Sequence, residues 1–115
     1  MSINFKILTF LWAGFILILS ITPGNYIPPV KFELIAPDTI AHVVFYLVLV
    51  FLSLKWIKPN KFLTLILIFL ICVLYGYVIE VVQGSLIPGR FYDLYDALSN
   101  SFGALVGLII YKIIS

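Results

Sequence analysis

Residues 62–79 read FLTLILIFLICVLYGYVI, eighteen consecutive residues without a charged side chain. A helix rises 1.5 Å per residue, so about 20 apolar residues cross a bilayer. Three further stretches have similar length and composition, and the predicted helices are 5–21, 38–54, 62–82 and 93–114. Backbone groups in hydrocarbon must bond within their own segment, so each stretch is predicted to be helical. The sequence therefore predicts an all-α integral membrane protein, a four-helix bundle with four transmembrane helices in a single domain, 1–115.

The composition narrows the class of protein further. Hydrophobic residues make up 63% of the chain and charged residues only 10%, whereas a soluble domain carries about 25% charged residues. This excludes a disordered chain, a nucleic-acid binder and an ordinary cytosolic enzyme. The single cysteine, Cys72, excludes an internal disulfide framework and a cysteine-based zinc site.

The first stretch also has the apolar core expected of a signal peptide. Pro23 follows it closely and no A-x-A-like cleavage site is present. A retained membrane anchor is therefore the favoured interpretation.

Basic residues predict the orientation. Five of the seven fall at one end of the predicted bundle and two, Lys31 and Arg90, at the other. The five are Lys6, Lys55, Lys58, Lys61 and Lys112. The positive-inside rule then places both termini in the cytoplasm.

Polar side chains gather at the end of the predicted bundle opposite the lysines. The second and fourth helices begin there and the third ends there. On each helix these side chains recur at spacings of three or four residues, which places them on one face. The predicted binding residues are Asp38, His42, Tyr46, Glu80, Gln83, Arg90, Asp93, Asp96 and Asn100. The sequence therefore predicts one polar, acidic pocket at this end.

Several of these residues also have ordinary structural interpretations. Asp38 and Asp93 are suited to capping the helices that they open. Asn100 is suited to hydrogen bonding between helices. A neutral His42 bonded to a neighbouring side chain is at least as common an arrangement as a metal ligand.

Glu80 stands out because it directly follows the uncharged stretch. It lies near the C-terminal end of its helix, where the helix dipole disfavours an anion. A carboxylate at membrane depth costs roughly 2.5–3.5 kcal/mol, so Glu80 needs a partner or a proton. The partners that this topology offers are Arg90 and His42. A functional or network role is therefore predicted for Glu80.

The predicted pocket is acidic overall, so it suits a proton, a bound cation or a cationic group from outside, and the sequence leaves these open. The candidates for holding a divalent cation are His42, Glu80, Asp93 and Asp96. The candidates for acid–base catalysis are Glu80 and His42.

Three glycines lie beneath the polar residues. Gly103 and Gly107 form a Gly-x-x-x-Gly spacing, and Gly76 lies one turn below Glu80. Small residues allow a neighbouring helix to approach closely. These three positions are predicted to be helix-packing sites.

The order of these motifs resembles the VanZ-like family, small bacterial membrane proteins related to an accessory teicoplanin-resistance protein. That family's pattern is roughly D-x-x-x-H-x-x-x-Y, then E-x-x-Q, P-x-R, D-x-x-D and N-x-x-G. The likeness spans Asp38 to Gly107, and the SITPG of residues 20–24 is also typical. One departure is Ile79, where many relatives carry an acid, so Glu80 is the only acid at that place. The resemblance implies four transmembrane helices in a bacterial inner membrane and a link to glycopeptide susceptibility.

Two classes of function remain open. In the first, the pocket recognises the head group of a phospholipid or a lipid-linked cell-wall precursor, with Arg90 on a phosphate and the acids on an amine. In the second, the protein is a small membrane enzyme with Glu80 or His42 as general base, with or without a divalent cation. A transporter or channel is a weaker third class because polar residues do not continue through the full depth.

Overall fold

The computed structural model describes residues 3–22, 37–87 and 94–114, and it describes side chains from residue 39 in the second of these ranges. The described residues form four helices: α1 (Phe5–Ile21), α2 (Pro37–Ile57), α3 (Phe62–Leu86) and α4 (Leu94–Ile114). The all-helical fold with four helices agrees with the prediction.

Local sequence explains where the helices begin. Asn4 caps α1, because its Oδ1 accepts a hydrogen bond from the Ile7 N–H at 3.1 Å. Helix α2 begins at Pro37, one residue before the predicted start, since proline is favoured at the first helical position.

Two helices end later than predicted, which corrects the bounds 38–54 and 62–82. Helix α2 continues to Ile57, where Lys58 adopts a left-handed φ of 52° and its N–H donates to the Leu54 carbonyl at 2.8 Å. Helix α3 continues to Leu86, and Ile87 is extended because a residue before proline disfavours the helical region. Lys55 therefore lies in the last turn of α2 rather than in the following loop.

Three of the helices are long and apolar enough to cross a membrane. These spans are Thr39–Ile57, Phe62–Leu86 and Leu94–Ile114, whereas α1 has 17 residues and is shorter. The outward faces are apolar, with Phe62 76% and Leu63 68% exposed. Among soluble monomers, contiguous apolar surface on this scale is rare. The protein is therefore a membrane protein with at least three helices of spanning length.

The most extensive helix contact joins α2 to α4. A Cβ on Gly103 would lie 2.2 Å from the Val43 carbonyl oxygen, and one on Gly107 would lie 2.4 Å from that of Leu47. The two backbones are thus in direct contact, as small residues permit. Both contacts pair residues sixty positions apart, so α2 and α4 run parallel.

Hydrogen bonds fix α1 to its neighbours. The Trp12 indole N–H donates to the Phe45 carbonyl at 2.8 Å, and the Tyr75 hydroxyl donates to the Ala13 carbonyl at 2.6 Å. These bonds join α1 to α2 and to α3 near the middle of the bundle. The core between the helices contains Ile16, Leu49, Val50, Leu54 and Ala104 among its buried members.

Candidate functional site

Side chains from three helices meet at one end of the bundle, and we call them the polar cluster: His42, Glu80, Asp96 and Asn100. His42 lies early in α2, Glu80 lies late in α3, and the other two lie early in α4. One ligand atom each from His42, Glu80 and Asp96 lie within 4.8 Å of one another. The parallel α2–α4 pair and the antiparallel α3 place these positions at the same level.

The polar cluster is enclosed. Glu80 is 0% exposed and Asn100 1%, while Asp96 and His42 retain 8% and 9%. Burial in a medium of low dielectric strengthens each electrostatic contact and raises the cost of any unsatisfied charge. Glu80 therefore depends on its surroundings more than any other acid in the described residues.

Asn100 sets the orientation of the His42 ring. His42 Nδ1 lies 2.7 Å from Asn100 Oδ1, and an amide oxygen only accepts, so the histidine donates. When the ring is neutral, this tautomer has its lone pair on Nε2. That nitrogen lies 3.7 Å from Asp96 Oδ2. A ring N–H donated to a neighbouring oxygen is also the usual support of a histidine that ligates a metal.

The separations within the polar cluster suit a cation. Two ligands on opposite sides of a divalent ion, each about 2.0–2.4 Å away, are about 4–4.8 Å apart. The observed limit of 4.8 Å falls at the upper end of that range. An ammonium group, which donates to several oxygens at once, suits the same space.

One buried donor of the cluster, Asn100 Nδ2, has no partner among the described residues. Native structures rarely leave a buried amide N–H₂ unsatisfied without a water or a ligand. Asn100 can therefore orient His42 with its oxygen and offer its nitrogen to an acceptor.

Gly76 makes room beside the cluster. A Cβ there would lie 2.9 Å from Tyr46 Cε1 and 3.1 Å from Asn100 Nδ2. Tyr46 is 1% exposed and lies one turn below His42 on α2. The polar face predicted for α2 thus continues from His42 into the core, where Tyr46 packs against α3.

Gln83 has a structural contact that its position in the sequence did not reveal. Its Nε2 donates to the Ser20 carbonyl at 2.9 Å, which ties the end of α3 to the end of α1. The Gln83 amide group therefore takes part in helix packing.

Three predicted site residues cannot be placed relative to the cluster. Arg90 and Asp93 lie outside the described residues, and so does the side chain of Asp38. Asp93 as a cation ligand and Arg90 as the partner of Glu80 remain predictions.

Sequence reasoning missed the polar contacts deeper in the bundle. Ser53 Oγ donates to the Leu49 carbonyl at 2.7 Å and lies 3.9 Å from Cys72 Sγ. Trp12 and Tyr75 hold α1 in place, as described above. The residue types could have indicated these bonds, because a buried indole N–H or phenol O–H usually has a hydrogen-bond partner.

The apolar helices and the enclosed polar cluster define a helical membrane protein with buried polar side chains at one end of its bundle. The chain belongs to the VanZ/LLP1 family, whose model matches residues 5–115. This confirms the resemblance inferred from the motifs. No curated protein and no solved structure gives a significant match to the chain.

Proposed function

We propose that this VanZ-like protein crosses the bacterial cell membrane four times and recognises a polar head group at the outer end of the bundle. The head group belongs to a lipid-linked cell-wall precursor or a phospholipid. The observation that carries the proposal is the meeting of three buried ionisable side chains, His42, Glu80 and Asp96, within 4.8 Å. Ionisable residues at membrane depth usually mark a functional site.

Contacts at both ends of α1 support the fourth crossing. At one end Phe5 lies beside Lys55, whose ammonium is 5.5 Å from the Phe5 ring centroid. At the other end the Ser20 carbonyl accepts from Gln83. Helices α2 and α3 run between the same two ends of the bundle. Seventeen residues rise about 26 Å, so α1 covers most of a hydrocarbon core about 30 Å thick.

The orientation follows from the lysines and has a direct test. With both termini cytoplasmic, the polar cluster faces the outer side. We expect Gly89→Cys in a Cys72→Ser background to react with an impermeant thiol reagent added outside intact cells. Labelling only after the cytoplasmic side is opened would reverse the orientation.

The cluster offers the groups that such a head group needs. The carboxyl groups suit an amine, Asn100 Nδ2 suits an acceptor, and Arg90 suits a phosphate. At the same level of α2 and α4, an apolar groove of about 440 Å³ runs along the seam of these two helices, lined by Val43 and Phe102 among others. This groove would accept the lipid chain attached to the head group.

Binding is tested with purified protein and defined lipids. The probes are a lipid-linked disaccharide–peptide precursor and phosphatidylethanolamine, each measured by native mass spectrometry against phosphatidylcholine. We expect selective retention of at least one probe, lost in Glu80→Gln and Arg90→Ala. The matched control is Ser101→Ala, because that hydroxyl donates to the Ala97 carbonyl of its own helix at 3.3 Å and does not line the groove. Equal retention of all lipids, or unchanged selectivity in both variants, would overturn the proposal.

Family membership motivates a cellular test of glycopeptide susceptibility. We expect expression in a susceptible bacterium to change the inhibitory concentration of teicoplanin, and Glu80→Gln to abolish the change at equal membrane level. An unchanged inhibitory concentration with the wild-type protein would remove glycopeptides from its role.

The His42 geometry favours one second candidate, a small membrane enzyme. The His42 Nδ1–H donates to Asn100. The other ring nitrogen, Nε2, can therefore take a proton or ligate a divalent cation near Asp96 and Glu80. Elemental analysis followed by titration with Mg²⁺, Mn²⁺ or Zn²⁺ tests for the cation. Mass spectrometry of the lipid-linked probes after incubation tests for chemistry. If every probe keeps its mass after incubation with each cation, the protein is not an enzyme acting on these lipids.

A further inference from the structure

The end of the bundle opposite the polar cluster carries a groove between the start of α1 and the end of α2, which we call the basic groove. Its lining includes Asn4, Phe5, Lys6, Lys55, Trp56 and Lys58, and its volume is about 280 Å³. Three lysines thus surround one opening: Lys6 of α1, Lys55 of α2 and Lys58 directly after α2. No acid lines it.

The positive charge of the basic groove is not balanced nearby. Within residues 3–22, 37–87 and 94–114, no salt bridge joins these lysines to a carboxylate. The sequence gives the reason, since no acid occurs in residues 1–32 or 39–79. Three ammonium groups in such proximity repel one another unless an anion lies between them.

Aromatic rings hold two of the lysines in place. Lys6 Nζ lies 6.0 Å from the Trp56 ring centroid, and Lys55 Nζ lies 5.5 Å from that of Phe5. Contacts of this kind fix the cations without neutralising them. Two of the three lysines that line the groove therefore each lie against an aromatic ring.

The third lysine occupies an unusual backbone position. Lys58 has φ 52°, the left-handed conformation in which glycine or asparagine is usual at the end of a helix. A lysine is disfavoured in this backbone conformation, and its charge lies at the basic groove. The first turn of α1 lies at the same place, and its N-terminal dipole adds further attraction for an anion.

An apolar groove adjoins the basic groove. It runs between α1, α2 and α3, has a volume of about 290 Å³, and its lining includes Ala13, Trp56, Ile68 and Ile71. Trp56 lines both grooves, so the two share a wall. Charged and apolar surfaces joined in this way match the two parts of a phospholipid.

We propose that an anionic phospholipid binds here, with its phosphate among Lys6, Lys55 and Lys58 and an acyl chain in the groove beside Ile71. Basic recesses between transmembrane helices are suited to anionic head groups. This site is separate from the polar cluster, and its occupant differs in charge from the amine that the cluster would accept.

The first test measures the charge selectivity with phosphatidylglycerol and phosphatidylcholine by native mass spectrometry of the full chain. Each lysine near an anionic surface contributes roughly a five-fold change in affinity, so Lys55→Gln/Lys58→Gln should weaken phosphatidylglycerol binding about 25-fold. The matched control is Lys61→Gln/Lys112→Gln, which removes the same charge from residues that do not line the groove. Equal weakening by the two pairs, or no preference for phosphatidylglycerol, would overturn the site.

The second test distinguishes an intact lipid from a free phosphate group. Ile71→Trp narrows the apolar groove, whereas Leu74→Trp changes an exposed residue of α3 outside it. We expect Ile71→Trp alone to weaken phosphatidylglycerol binding, and glycerol 3-phosphate to bind far more weakly than the lipid. Glycerol 3-phosphate binding as tightly as the lipid, or equal effects of the two tryptophans, would rule out the acyl chain in this groove.

Discussion

Replacing Gly103 by alanine should separate α4 from α2 and disturb the polar cluster from a distance. The added Cβ would lie 2.2 Å from the Val43 carbonyl oxygen, whereas ordinary contact begins at about 3.4 Å. Because the obstacle is backbone, the helices must move apart by roughly 1 Å. The His42–Asn100 hydrogen bond, 2.7 Å long, would then stretch to roughly 3.7 Å and be lost. Overpacking and the lost bond together should lower the free energy of unfolding by about 2–3 kcal/mol.

The glycines of the chain provide a graded control series. A Cβ on Gly107 meets the Leu47 carbonyl oxygen at 2.4 Å, one on Gly76 meets movable side chains at 2.9 Å, and one on Gly14 meets nothing within 4 Å. Titration with sodium dodecyl sulfate, followed by tryptophan fluorescence, should rank the losses of stability Gly103 ≥ Gly107 > Gly76 > Gly14. If Gly103→Ala unfolds at the same detergent fraction as Gly14→Ala, the close contact of α2 and α4 is wrong.

Three further substitutions are expected to reduce stability in the same assay. Gln83→Leu removes the amide that donates to the Ser20 carbonyl at 2.9 Å, and should cost about 1 kcal/mol. Trp12→Phe keeps a ring but loses the 2.8 Å hydrogen bond to α2, so we expect the free energy of unfolding to fall by about 1 kcal/mol. Unfolding of this variant is monitored by circular dichroism because it lacks one of the tryptophans. Asn100→Leu leaves the His42 N–H without its acceptor and should cost about 1–3 kcal/mol, with a smaller further loss when His42 is also replaced by leucine. Full additivity of the last pair would contradict the bond between them.

Hydropathy was sufficient to predict the helices of this chain because a bilayer permits few alternatives. The uncharged run from Phe62 requires an internally bonded helix at membrane depth. Helix ends were harder to place, since α2 and α3 extend beyond the expected residues by local backbone effects. The left-handed Lys58 and the pre-proline Ile87 end these helices, and hydropathy is insensitive to both.

The sequence predicted that polar side chains of three helices meet at one end of the bundle, but not which of them bond to one another. Helical spacing placed His42, Glu80 and Asp96 on inward faces, and antiparallel order brought them to one level. It did not reveal that Asn100 orients the imidazole or that Gln83 bonds to the α1 backbone. Such pairings depend on the rotation and height of each helix, which packing sets to within about an ångström and a periodic pattern does not.

Polar pairing and glycine packing specify the same alignment of α2 with α4. In the observed alignment His42 meets Asn100 while Gly103 and Gly107 meet α2 backbone. Sliding α4 by one turn in one direction would bring Tyr111 against Leu47, and sliding it in the other would bring Ser99 against Val43. Either slide places a side chain where only glycine fits, and the first also puts Ala104 in the place of Asn100, which removes the acceptor from His42. Because glycine packing opposes both neighbouring alignments, the parallel pair is a frame with one register. The geometry of the polar cluster is then determined by where α3 places Glu80 against that frame.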